Sequence, residues 1–402
     1  MRRELSGDAR IATPDPSADA AAEASRLPSA SAGKGHSELK RCLCSYAATM
    51  MVIIAGLYFY TALSPYYIAL YHLSWTPMLG SHIAPITIDL TLALRTFAGI
   101  YALALLPYYA LRPGRLSNAH TMFRFIFRRI ASWSAATPAE RHGHLADVDK
   151  QAMLCLLLKF IFIPFCIHGL VAYLAYTNDQ IAGLRELLAG ASGIDLFSFY
   201  NSHLHYLILN MIFLVDFFPF VVGYLVQARI LDNEVVSVDA SPGGWLACLV
   251  CYPPFNAAMA ALLPWQVVDL APAYPTFSIV THLALNAVLL TCFGFYAYAS
   301  VSLGFKCSNL MHRGIVRRGL YRAVRHPAYL FKNLAWWTGA IPLLVNLAQT
   351  SLKEFFWTGF CLAGWSCIYG LRALSEERHL SRHADYRAYM QQVPFRFIPG
   401  VA

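Results

Sequence analysis

Charge is what this sequence has least of. Of its 402 residues only 13% are Asp, Glu, Lys or Arg while 57% are hydrophobic, against about 25% charged in a soluble domain. That shortage excludes an ordinary soluble globular protein. Lys and Arg are missing altogether from residues 64–87 and 265–275, and 177–204 holds only Arg185. The first 40 residues have no apolar core of the kind a signal peptide needs, which excludes a cleavable leader and makes the first apolar block an uncleaved anchor. The ten cysteines form no paired framework. Cys155, Cys166, Cys248, Cys251, Cys292, Cys361 and Cys367 fall inside apolar blocks, where they act as small apolar side chains. Strict apolar–polar alternation is lacking too, so the spans are not barrel strands. No internal repeat of fixed period is visible.

What is present is a series of long apolar blocks. A hydrocarbon core of about 30 Å needs roughly 20 apolar residues per helix. Eight blocks qualify as candidates: 43–63, 88–111, 152–176, 205–228, 244–264, 276–304, 333–348 and 355–373. The expected fold class is therefore all-α, a polytopic transmembrane bundle. The net charge of +9 follows the loops and forms no continuous nucleic-acid face. Lys40 and Arg41 precede the first block. The 112–150 loop carries six arginines and Lys150, and the 305–332 loop carries Lys306, Arg313, Arg317, Arg318, Arg322, Arg325 and Lys332. The positive-inside rule puts these loops and both termini in the cytoplasm. Three regions result: a disordered cytoplasmic tail at 1–40, rich in Ala, Ser, Pro and Gly; a six-span region at 41–304; and a C-terminal region at 305–402.

Some features read either way. Residues 121–134 contain MFRFIFRRIASW, which suits an amphipathic helix on the inner leaflet or a basic loop that merely sets orientation. Arg95, Lys159, Asn210 and Asp216 fall within apolar blocks. Intramembrane charges cost at least about 2.5 kcal/mol at mid-bilayer and usually pair with one another. A structural Arg95–Asp216 pair and a snorkelling Lys159 are favoured over a functional role. Pro253 and Pro254 should kink or break the fifth block. His203 with His205, and Cys248 with Cys251, lack the second ligand pair of a zinc site, so no metal is expected.

The chemistry gathers after Arg313, in RGIVRRGLYRAVRHPAYL, two further blocks, and LRALSEERHLSRHADYRAYMQQVPFRFIPGV. Gly319 permits a tight turn before Tyr321. Pro327 suits the first turn of a helix. His326 then sits at a helix start whose free N–H groups favour an anion. Arg372 and Glu376, four apart, share a helical face; on a surface such a pair contributes only about 0.3–0.5 kcal/mol. Tyr386, Tyr389 and Val393 form the apolar stripe of a short helix ended by Pro394.

The ordered set GLYxxVRHPAY, a hydrophobic hairpin, RxxxEExxL, DYxxY and VPxxxIPG resembles the isoprenylcysteine carboxyl methyltransferases, over Arg313 to Val401. The resemblance implies S-adenosylmethionine as cofactor, bound by Arg313, Gly314, Ile315, Val316, Tyr321, His326, Pro327, Ala328, Tyr329 and Glu376. It implies Arg372 on the substrate side, with Arg372 and Glu376 forming the catalytic pair. The acceptor would be a lipidic carboxylate, that of an isoprenylated cysteine or related thioether, entering from the membrane; no obligate protein partner is implied. Two departures bear on the substrate. The segment from Leu380 to Tyr386 is short and lacks the family's Phe-Gly pair, and the six preceding blocks exceed the family core.

Methyl transfer from a sulfonium proceeds by in-line attack, so catalysis is chiefly positioning and charge placement. Glu376 and the faces of Tyr321 and Tyr329 would hold the positive cofactor. Arg372 would orient the acceptor carboxylate through a bidentate contact. A carboxylate needs no general base, whereas an amine or thiol would call on Glu377 or His379. Rival expectations are a phospholipid N-methyltransferase, an NADPH-dependent sterol reductase with a similar C-terminal end, and a transporter or scaffold that keeps only the fold. The reductases usually carry an Asp-Glu-Arg-Cys type segment where this chain has EERHL.

Overall fold

The computed structural model describes residues 31–71, 74–75, 88–111, 116–133, 146–190, 195–264 and 277–401. Helix α1 (Ser31–Tyr58) runs through a π turn at Phe59–Leu63 and is followed by α2 (Pro65–Leu70). Strands β1 (Ser74–Trp75) and β2 (Ile88–Asp89) pair antiparallel. Asp89 then caps α3 (Leu90–Ala110), accepting from the Thr91 N–H at 2.6 Å. Next come α4 (Asn118–Trp133), the 43-residue α5 (Asp147–Ala189), and α6 (Leu196–Phe199), which passes through a π turn into α7 (His205–Leu225). The two short helices α8 (Pro242–Leu249) and α9 (Phe255–Leu262) precede α10 (Ile279–Leu303). The chain ends in α11 (Pro327–Thr350), α12 (Leu352–Leu380) and α13 (Ala384–Gln392).

Five helical stretches are long and apolar enough to cross a membrane by length and composition: Ser37–Leu63, Leu90–Ala110, Asp147–Ala189, Leu196–Leu225 and Ile279–Lys306. This is the pattern of an all-α, multi-pass membrane bundle. Three of the eight expected blocks are not among them. The fifth is broken around Pro253–Pro254 into α8 and α9, eight residues each, because a proline removes a helical hydrogen bond and clashes with the preceding turn. The seventh and eighth form α11 and α12, whose 24 and 29 residues are long enough. Polar residues along them, among them Lys332, Asn333 and Thr338, make them less apolar than the five. Helix α1 reaches back to Ser31, inside the segment expected as a tail, and residues 1–30 lie outside the described residues.

The stretch containing MFRFIFRRIASW is helical, within α4. Phe127 and Ile130 are exposed on it while Ala119 and Thr121 turn inward. The Arg95–Asp216 pair does not form. Arg95 is exposed, and the polar groups acting on buried Asp216 are Ser300, Tyr296 and Lys332.

Three apolar clusters hold the bundle. Tyr60, Tyr71, Leu90 and Ile167 join α1, α2 and α3 to α5. Phe162, Tyr224, Cys248 and Leu310 join α5, α7 and α8 to the loop before α11. Leu209, Leu289, Trp336, Leu362 and Trp365 join α7 and α10 to the α11–α12 hairpin. A second antiparallel pair, β3 (Ser237–Val238) with β4 (Met311–His312), pins the 305–326 loop beside α8. Tyr386, Tyr389 and Val393 pack α13 back against Ile315 and Leu380, as their spacing requires.

Candidate functional site

The loop between α10 and α11 takes its path from four positive-φ residues, Gly304 at +58°, Leu310 at +58°, Gly314 at +88° and Gly319 at +59°. At Gly319 a Cβ would stand 2.4 Å from Ser302 Oγ, so both conformation and space require glycine there. The 3-10 turn Gly319–Arg322 that follows buries Tyr321.

Arg325 and His326 are fixed next. Their backbone N–H groups donate to the carbonyls of Phe395 and Arg396, each at 3.0 Å. The Arg325 guanidinium donates to Glu377 Oε1 at 2.7 Å and to the carbonyls of Val393 and Pro394 at 2.9 and 2.6 Å. The C-terminal strap 393–396 thereby ties the RHP turn to α12 through its backbone carbonyls. Glu377 is the hub. Its carboxylate also meets His326 Nε2 at 3.1 Å and accepts from Arg396 Nε and Nη2 at 3.1 and 2.9 Å. Burial alone would raise its pKa. The hydrogen bonds from His326, Arg396 and Arg325 outweigh burial and hold the carboxyl well below the usual carboxylate range.

Pro327 opens α11 at its first position. Leu330 donates to the His326 carbonyl at 3.1 Å, while the N–H groups of Ala328 and Tyr329 have no intrahelical acceptor and His326 provides no side-chain cap. Across from them stands Glu376, whose Oε1 accepts from the Tyr329 hydroxyl and, at 3.3 Å, from Arg372 Nε. Its Oε2 lies 3.9 Å from His326 Nδ1.

Arg372 is no surface residue. Only 2% exposed, its guanidinium lies over three tyrosine rings, with Cζ 5.2, 5.0 and 5.8 Å from the centroids of Tyr252, Tyr329 and Tyr369. Nη2 donates to Asn309 Oδ1 and to the Tyr252 hydroxyl. With Nε and Nη2 engaged, Nη1 is the nitrogen left without a hydrogen bond among the described residues. The bidentate grip expected of this guanidinium would need a second nitrogen, and Nε and Nη2 are both taken. The face of Tyr329 expected to hold a cation is likewise in use, since His326 stacks on that ring at 5.4 Å and 10° and Arg372 lies over it.

A cavity of about 190 Å³ unites these groups. It is lined by Arg313, Gly314, Ile315, Val316, Tyr321, His326, Ala328, Tyr329, Arg372 and Glu376. Pro327 is buried and outside the lining; it shapes the helix start. Arg313 lines the wall but spends Nη1 on the carbonyls of Gly223 and Asn233 at 2.6 and 3.2 Å.

Other lining residues escaped the sequence reading. Tyr252 and Asn309 lie outside every motif, though the broken helix beside Tyr252 was a signal. Lys332 stands 5.5, 5.3 and 5.3 Å from the ring centroids of Tyr296, Trp336 and Tyr369, an ammonium in an aromatic cage. His379, which the sequence offered as a candidate base, lines the cavity as well, with Nε2 3.2 Å from Ser237 Oγ. Burial pushes its pKa below the ordinary value, against the pull of Asp239. Among the described residues no group of three or more His, Cys, Asp or Glu side chains is placed to hold a metal ion.

Residues 257–393, from α9 to the end of α13, match a family model described as a protein of unknown function (DUF1295). That family is a member of the superfamily of steroid 5α-reductase-like and isoprenylcysteine-methyltransferase-like proteins. No curated protein and no solved structure matches the chain.

Proposed function

We propose that this protein is an integral membrane methyltransferase that uses S-adenosylmethionine to methylate a lipidic acceptor, the carboxylate of an isoprenylated cysteine or a related isoprenoid thioether. One observation carries the reading. The loop 313–316, Tyr321, the HPxY helix start and Glu376 come from distant parts of the motif set and line one cavity together with Arg372.

The donor set suits the cofactor's chemistry. The N–H groups of Ala328 and Tyr329, without an acceptor among the described residues at the start of a 24-residue helix, favour a carboxylate. Glu376 offers negative charge to an ammonium or sulfonium. When bound, S-adenosylmethionine supplies the electrophilic methyl group. The chain's own residues supply position. Tyr329 and Arg372 fix the Glu376 carboxylate, Asn309 and Tyr252 fix Arg372, and Nη1 of Arg372 orients the acceptor. An ionised carboxylate attacks without a general base. This favours a carboxylate over an amine, because Glu377 is engaged by Arg325, His326 and Arg396, which leaves His379, with Nδ1 unbonded among the described residues, as the base an amine would need.

The full topology belongs to the same reading. The α8–α9 pair crosses the membrane as one broken span and the α11–α12 hairpin as two, so that the chain has eight spans with both termini in the cytoplasm. The basic 305–332 loop puts the cavity mouth on the cytoplasmic side. The lipid or prenylated substrate enters from the bilayer.

The test is methyl transfer to a small S-farnesyl cysteine. Arg372→Ala is expected to lower the rate on the order of 10²-fold, as misplacement of a reacting group does. Full transfer by that variant would remove Arg372 from the role given to it.

A further inference from the structure

A second cavity, of about 200 Å³, lies away from the site described above, between α1, α3 and α5. Its walls include Val52, Phe97 and Ile167, and its polar lining includes Lys159, Tyr101 and Gln227. The Tyr108 hydroxyl, also in the lining, donates to the Gln227 carbonyl at 2.9 Å. Along α1 the lining runs from Thr49 to Tyr60 and along α5 from Leu156 to Ile167, about 16 Å of helix in each case. Half the hydrocarbon thickness, the reach of one acyl chain, is about 15 Å.

Lys159 is the chemical handle. It sits within an apolar span, three residues after Leu156, the first α5 residue of the lining. The titratable groups acting on it are the Cys155 thiol and the Arg313 guanidinium, with no carboxylate among them. An ammonium in such a setting is costly unless an anion joins it, and the described residues provide none.

We propose that this cavity binds a single-chain anionic amphiphile, its carboxylate or phosphate headgroup on Lys159 and its acyl chain between α1, α3 and α5. The site is independent of the methyl-transfer reading, since it shares none of the residues assigned there.

The experiment measures equilibrium binding of labelled palmitate, palmitoyl lysophosphatidate and hexadecanol to the purified full-length protein in a neutral detergent. Saturable binding of at least one anion is expected, and the tighter of the two identifies the headgroup. Lys159→Met, apolar and of similar length, should weaken the anion at least about tenfold, the loss of a charge-assisted contact, and leave hexadecanol unchanged. Lys159→Arg should restore anion binding. Gly56 lines the cavity, and the nearest side chains a Cβ there would meet are Tyr60 and Phe160 at 3.4 and 3.9 Å, ordinary van der Waals contact. Gly56→Leu should therefore exclude all three ligands while the protein stays folded. Saturable binding of neither anion, or Lys159→Met binding as wild type does, would overturn the proposal.

Discussion

Glu377 and Glu376 are adjacent in sequence and opposite in character. Glu377 is held by two arginines and a histidine, while Glu376 keeps one oxygen toward the cavity, 21% of its side chain exposed. The EE pair was legible in the sequence, and so was the motif match of the first carboxylate. The task of the second was not, because its partners Arg325 and Arg396 lie 52 and 19 residues away and no local spacing links them. Replacing Glu377 by Gln leaves Arg325 buried without its anion, a change that costs about 3–5 kcal/mol when a buried pair is broken, read as a lower unfolding temperature. The pH dependence follows from the depressed pKa of Glu377. Its contribution is complete above the unfolded value of about 4.3 and is lost as pH falls from there toward the lower folded value. Wild type should therefore lose stability over that acid window, and Glu377→Gln should show a shallower loss there, with equal slopes indicating that the hub is not ionised as described.

At the scale of elements, the sequence told most where a local rule sufficed. The Tyr386, Tyr389 and Val393 stripe foretold α13 and the side it buries, Pro327 foretold the start of α11, and the double proline foretold the break between α8 and α9. It told least where one element depends on another. The strap 393–396 gives its carbonyls to Arg325 and His326, and nothing in its composition announces that. Gly319 belongs to the legible class, its φ of +59° and the nearby Ser302 both excluding a side chain. Gly319→Ala should cost at least about 1–2 kcal/mol from the left-handed backbone alone, measured by denaturant unfolding. An unchanged midpoint would mean the turn is not built as described.

For the whole molecule, apolar blocks and the distribution of Lys and Arg located the helices of a membrane bundle. They overcounted uninterrupted apolar spans, because α11 and α12 trade apolar residues for the polar ones that face the cavity and its cage, such as Lys332 and Arg372. The proposed topology puts the Ser351 turn and the Arg382 turn on opposite sides. In a cysteine-free background, Ser351→Cys should react with an impermeant thiol reagent added outside sealed cells, and Arg382→Cys only after the membrane is opened. Labelling of both from one side would refute the hairpin crossing.

The central claim is that the cavity holding Arg372 and Glu376 receives S-adenosylmethionine, and calorimetric titration of the purified protein tests it most directly. Saturable heat with S-adenosylmethionine, none with NADPH, and loss of the signal in Glu376→Gln are predicted. Binding of NADPH without binding of S-adenosylmethionine would contradict the claim.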